Sequence, residues 1–299
     1  MSKTLGIVPI GLLVLAALVY ALVFPLNRLA SEAGAPHFGH AFWQTLIGGL
    51  ALYLLTLVKG ERLSLRWPYL RAYLVVGAFG FSLPMALVTL VSPNLPGAIV
   101  PLAFALSPTC TYLLSVLMRL DRLSTFGLVG IALGFAGVAI VLAPEEALPH
   151  ADALGWFLLT LAIPVLLAIA NVGAAVLRPP ATSSTVMGAG FLLGAAAVIL
   201  SLMLATDGLY VPSDMALLLP TLGAAAVNAV FIILFAEIVG RYGPTFFAQF
   251  NYLTVVAAIG WAALFFGEQA SVYVWAALAL MASGVLISEL RHRGAAKQT

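Results

Sequence analysis

GAIVPLAFALSPTCTYLLSVLMRLDRLSTFGLVGIALGFAGVAIVL, residues 97–142, decides how this chain is read. It holds two apolar runs, Gly97 to Met118 and Thr125 to Leu142, parted only by the charged segment Arg119-Leu120-Asp121-Arg122-Leu123-Ser124. About 20 apolar residues, rising about 1.5 Å each, span the roughly 30 Å hydrocarbon core of a bilayer. The stretch therefore reads as a tight helical hairpin in lipid. Shifted along the chain, the same pattern returns without a gap: Leu106 falls on Leu253, Leu117 on Leu264, Ser124 on Ser271, Gly137 on Gly284, and Asp121 on Glu268. An acidic turn divides both hairpins at the same place, so the chain reads as two copies of one unit.

The composition agrees. Of 299 residues, 63% are hydrophobic and 8% charged, with a mean hydropathy of +1.12. A soluble domain carries about 25% charged residues to wet its surface. The net charge of +2 comes from basic loops rather than a basic patch, so no nucleic-acid partner is expected. A single cysteine, Cys110, excludes an intrachain disulfide.

Breaking the apolar runs at charges and at Pro/Gly clusters predicts ten spans: 5–27, 38–58, 72–92, 97–118, 125–143, 154–177, 185–206, 215–239, 245–266 and 272–290. The expected fold is an all-α polytopic membrane protein of ten transmembrane helices in two repeats, 1–143 and 154–290, with a tail at 291–299. With the N-terminus inside, basic residues from Lys3 through Lys59, Arg62, Arg66, Arg71, Arg119, Arg122, Arg178 and Arg241 to Arg291, Arg293 and Lys297 gather on one side, and only Arg28 lies outside. Both termini are therefore expected in the cytoplasm, in a plasma (inner) membrane. Five spans per copy is an odd number, so the second repeat enters the membrane inverted. Inverted repeats around a midplane site are a common plan of secondary transporters.

Several short patterns carry a family resemblance. They are Ser107-Pro108 followed by an apolar stretch, Asp121-Arg122-Leu123-Ser124, and the small-residue close Gly137-Val138-Ala139, echoed by Gly267-Glu268-Gln269-Ala270-Ser271 and Ser283-Gly284-Val285. Together they resemble the EamA domain of the drug/metabolite transporter superfamily over nearly the whole chain, although Asp121-Arg122 stands where that family usually has Gly-Glu-Arg. The resemblance implies a ten-span exporter of amino acids or other metabolites with both ends in the cytoplasm.

A membrane enzyme would need a nucleophile and base, or a metal cluster. His37, His40, His150 and His292 read as loop or span-end residues without a motif, so no catalytic residue, metal or cofactor is expected. The intramembrane carboxylate used by small cationic-drug antiporters of the superfamily is absent from the first span. Two ion pairs stand as gate or coupling candidates: Arg28 with Glu32, and Glu237 beside Arg241. Substrate-binding candidates are neutral: Ser82, Thr109, Asn171, Asn228, Phe247, Gln249, Asn251, Tyr252, Thr254 and Trp261. Any one of these polar groups is more often interhelical glue than ligand, but convergence from four helices favours a site. In the ninth span Phe247, Asn251, Thr254 and Trp261 share a face at helical spacing, which suits a neutral or zwitterionic solute with apolar parts. Tyr20, Trp43 and Trp156 read as interfacial belt residues, Phe246, Phe265 and Phe266 as lipid-facing. Gly188, Gly190 and Gly194 read as packing glycines for scaffold or homodimer contact. The partners expected are thus a small-molecule substrate, the bilayer and a possible second copy. The expected activity is outward transport of a small metabolite, an amino acid first, with import or exchange of a nucleobase or sugar derivative as the alternative.

Overall fold

A computed structural model describes residues 7–91, 103–142, 153–267, and 272, 273, 275, 276, 278–280 and 283. All regular structure among these residues is helical. The helices are α1 Ile7–Ala21, α2 Val23–Glu32, α3 His37–Val58, α4 Trp67–Gly77, a π turn Ala78–Ser82, α5 Leu83–Val91, α6 Ser107–Leu117, α7 Thr125–Leu142, α8 Ala153–Thr160, α9 Ala162–Val176, α10 Ser184–Thr206, α11 Met215–Tyr242, α12 Pro244–Ala248 and α13 Phe250–Phe266. Taken through their kinks, seven stretches are long and apolar enough to cross a membrane: Val8–Glu32, His37–Val58, Trp67–Val88, Leu154–Val176, Ser184–Thr206, Met215–Tyr242 and Pro244–Phe266. Large apolar side chains such as Val8, Leu54, Leu158, Leu204, Leu219 and Leu264 face outward, as lipid requires. Of the other expected spans, 97–118 and 125–143 are described through α6 and α7. The turn at Glu268, most of 272–290 and the tail lie outside the described residues.

Proline sets the interruptions. Its ring displaces the carbonyl four residues back, and it has no N–H to donate. Pro25 and Pro164 each lie three residues beyond a break, at Leu22 and at Leu161. Pro84 lies just beyond the π turn, where the Ser82 hydroxyl donates to the Gly77 carbonyl at 3.3 Å and to the Ala195 carbonyl of α10 at 2.9 Å. The ninth expected span is broken at Gln249, between α12 and α13.

Helix α10 forms the middle of the bundle, packed on α3, α4 and α11. Its glycines make this possible. A Cβ on Gly194 would collide with the Tyr73 carbonyl of α4, and one on Gly190 with the Tyr73 ring. Across the same seam a Cβ on Gly77 would lie 2.5 Å from the Ala195 nitrogen. The packing glycines thus serve contacts inside the chain, and a helix of the second half is wedged against two of the first.

Contacts between helix ends sort the bundle into two poles. At one, Lys59 Nζ donates to Thr185 Oγ1 at 3.0 Å, Ser183 Oγ donates to Glu61 Oε2 at 2.6 Å, and Arg178 donates to the Ala236 carbonyl at 2.7 Å. At the other, the Gly39 amide donates to Asp207 at 2.9 Å and the Trp43 indole to the Tyr210 carbonyl at 2.7 Å. The first pole is rich in basic side chains and the second carries Glu32, Asp207 and Asp214.

Candidate functional site

Between α1, the π turn, α9, α11, α12 and α13 lies a cavity of about 40 Å³, room for a few waters. One wall is aromatic. Tyr20 lies 4.3 Å from Phe231 between ring centroids, Phe231 stacks on Phe250 at 5.0 Å, and Phe250 stacks on Phe247 at 4.9 Å. Phe235 meets Phe247 edge-on at 4.7 Å. Asn171 and Asn251 complete the lining from α9 and α13. Asn171 Nδ2 donates to Thr111 Oγ1 of α6 at 3.1 Å, and Asn251 Nδ2 donates to the Ala248 carbonyl at 3.1 Å. Each amide is thus held by one bond at the cavity's edge. Rings offer faces to cations and flat apolar groups, while amides can donate to or accept from a polar head.

Of the candidate residues, Phe247, Asn171 and Asn251 meet here. The helix break at Gln249 separates Phe247 from Asn251, yet both line the cavity. Gln249 itself is half-buried in the break. Ser82 is fully buried and bonded to two carbonyls in the α4–α10 seam. Thr254 donates to the Phe250 carbonyl within its own helix at 2.9 Å. Tyr252 packs in a separate cluster with Leu106, Phe157 and Ile163, its hydroxyl beside Thr109. Trp261 lies outside the cavity lining and donates to the Leu18 carbonyl of α1 at 3.1 Å. Asn228 donates to Gln44 of α3 at 3.0 Å.

Two readings change in the folded chain. Tyr20 is no belt residue: the first span runs on to Glu32, which places Tyr20 near its centre and against Phe231. Phe266 does more than face lipid, since the Arg28 guanidinium lies 4.0 Å from its ring centroid. His40 lies at a span end, as its place in the sequence suggests. It is buried in the first turns of α3 and bonded to Asn27 and Thr221.

The charged candidates sit at the poles. Arg28 Nε and Glu32 Oε1 are 2.8 Å apart and half-exposed. Glu237 pairs with Arg241 and accepts from Ser184 Oγ at 2.6 Å. Arg178 bonds the Ala236 and Thr182 carbonyls; burial pulls its guanidinium below the usual value and the Glu237 carboxylate opposes that shift. A Cβ on Gly240 would strike this guanidinium, so a bare backbone is what lets it lie across α11. Among the described residues, no group of three or more His, Cys, Asp or Glu could hold a metal ion.

Comparison with known proteins finds likeness at two levels, fold and part of the sequence. No curated protein matches the chain. A solved structure described only as a crystal structure of a protein has a TM-score of 0.69 at 20% identity, covering 94% of this chain and 96% of that one. At that identity the likeness shows a shared fold alone. Residues 7–143 of this all-helical chain match the EamA-like transporter family.

Proposed function

We propose that the protein is a secondary transporter that carries a small organic metabolite, an amino acid first among candidates, outward across the inner membrane. The observation that carries this reading is the aromatic cavity with two edge amides, Asn171 and Asn251, set beside interrupted helices in an EamA-type bundle. Among the described residues its lining holds no charged side chain. A solute that fits is neutral or zwitterionic, with an apolar part against Phe231, Phe247 and Phe250 and a polar head toward the amides.

The mechanism is alternating access, with ten spans in two inverted repeats rocking about the cavity. Each half has a proline-kinked first span, broken at Leu22 in one and at Leu161 in the other, though not at equivalent positions. The polar contacts at the two poles are the parts that would open in turn: Lys59, Glu61 and Arg178 at one, Gly39, Trp43 and Arg28 at the other. The basic pole faces the cytoplasm, since basic residues are retained there. At about 40 Å³ the cavity is contracted well below the several hundred Å³ of an occupied ligand site, so loading requires one pole to open.

The test is a thermal-shift screen of the purified full-length protein against amino acids, nucleobases and sugar phosphates. A ligand at about 100 times its Kd adds about 2.7 kcal/mol to apparent stability. The expected result is a shift with an amino acid, followed by counterflow of that amino acid in proteoliposomes. A shift with a nucleobase alone would overturn the substrate assignment. An undiminished shift in the Asn171→Ala/Asn251→Ala double variant would remove the site from this cavity.

A further inference from the structure

Three helices meet between the cavity and the basic pole, and one of them presents a polar wall. Helix α6 packs on α9 and on α12, and α9 packs on α12. The cavity takes Phe104 from just ahead of α6, Asn171 from α9 and Phe247 from α12. From that depth Ser107, Thr111 and Ser115 follow one another along α6 every fourth residue, which puts them on one face over about 12 Å of helix. The face is turned to α9, since Thr111 Oγ1 accepts from Asn171 Nδ2. Its far end is at the basic pole: the Ser115 carbonyl accepts from the Leu120 amide at 2.8 Å and the Asp121 amide at 3.2 Å, in the turn that carries Arg119 and Arg122.

Two of these hydroxyls are unlike others in the bundle. Thr45, Thr160, Thr221 and Thr254 each donate to the carbonyl one turn back in their own helix, the usual way to quiet a hydroxyl in an apolar helix. Ser107 and Ser115 are as deeply buried, at 0% and 1% exposure, yet neither Oγ has a hydrogen-bond partner among the described residues. Beside Ser107, Pro108 brings no N–H to the Phe104 carbonyl. Buried polar groups are costly to leave unpaired, so two on one face mark a surface that meets polar atoms in another state of the molecule. The α4–α10 seam offers no such surface, because Ser82 is already bonded twice.

The third wall has a hinge at each end. Helix α12 is five residues long; Gly243 turns the chain out of α11 before it, and Gln249 breaks it from α13 after it. Gly243 has φ +89° and ψ 166°, a region essentially reserved to glycine, although a Cβ there would meet nothing within 4 Å. Backbone conformation, not crowding, therefore calls for glycine at this end. Phe247 is the α12 side chain that reaches the cavity.

We propose that Ser107, Thr111 and Ser115 line the passage along which the polar head of the cargo and its water move between the cavity and the basic pole, and that α12 is the flap that closes this passage with Phe247. Use of the passage by cargo rests on the transport reading above; its wetting does not.

The test is thiol labelling of the full-length protein in lipid nanodiscs. Cys110, the single cysteine, is first replaced in Cys110→Ala, and Ser107→Cys, Ser115→Cys and Ser82→Cys are then made one at a time. Each is treated with the water-soluble cation methanethiosulfonate ethylammonium, whose rate reads access of water and reagent to the thiol. The expected result is labelling at 107 and 115 roughly tenfold faster than at 82, and faster still at 107 when Phe247→Ala thins the flap. Rates at 107 and 115 no higher than at 82 overturn the passage, and a rate at 107 that ignores Phe247→Ala overturns the flap. Hydroxyl-radical footprinting of the unmodified protein reads the same wetting without a substitution: Phe247 should be oxidised well ahead of Phe191, which is equally deep in the core. Equal oxidation of the two rings overturns the proposal. Slow labelling with an intact amino-acid thermal shift overturns this inference alone, whereas fast labelling with no metabolite shift overturns the transport reading and supports the wet passage.

Discussion

The α4–α10 seam and the aromatic cavity are neighbours that share the π turn, and they use opposite means. In the seam, glycine at 77, 190 and 194 lets backbones touch, and the polar group present, Ser82, is consumed by two carbonyls. In the cavity, Phe231, Phe247 and Phe250 hold helices apart, and the polar groups Asn171 and Asn251 sit at the edge of open space. Side-chain size decides where a helix pair closes. Whether a buried polar residue is glue or ligand then follows from whether a backbone is near enough to satisfy it.

The largest effect should come from breaking the seam. Gly194→Ala sets a methyl against the Tyr73 carbonyl, a rigid neighbour, so it should cost about 3 kcal/mol, the upper end of the overpacking range. The measurement is the melting temperature of the purified protein. An unchanged value would mean that α4 and α10 lie farther apart than described.

This contrast was only partly readable in the chain itself. The apolar runs, the proline-marked interruptions and the pair Phe247 and Asn251 follow from local spacing. Tyr20 was misplaced because Arg28 looked like the end of a span. In the fold, its ion pair with Glu32 and its contact with Phe266 let the helix run on, and Tyr20 becomes central. Asn228 and Gln44, with 183 residues between them in sequence, have no spacing that could announce their bond. Buried polar residues such as Ser82 and Asn251 look alike until their neighbours are known.

A second comparison separates those two directly. Asn251→Ala should weaken amino-acid binding by about 1.4 kcal/mol, roughly tenfold, with a small change in melting temperature. Ser82→Ala should do the reverse: a stability loss of about 0.6 kcal/mol and unaltered affinity. Equal effects of both variants on affinity would erase the distinction between seam and cavity. The smallest effect belongs to the rim. Phe266→Ala removes the ring beneath Arg28 and should cost about 0.5 kcal/mol, seen as faster hydrogen exchange in α2 and the end of α13. Exchange that stays unchanged would show that Arg28 does not tie these two helices together.

The π turn at Ala78–Ser82 carries a consequence for the genetics of this helix. A π turn is an α-helix that has accepted one extra residue, and each residue advances the screw by about 100°. Ahead of the insertion, α4 turns Tyr73 and Gly77 toward α10; beyond it, the helix is re-aimed before it enters α5. Deleting a single residue between 78 and 81 would restore the ordinary screw and swing Leu83–Val91 around the axis by that angle. A frame-preserving deletion here would act as a rotation, whereas a substitution at the same codon would act only as a change of side chain.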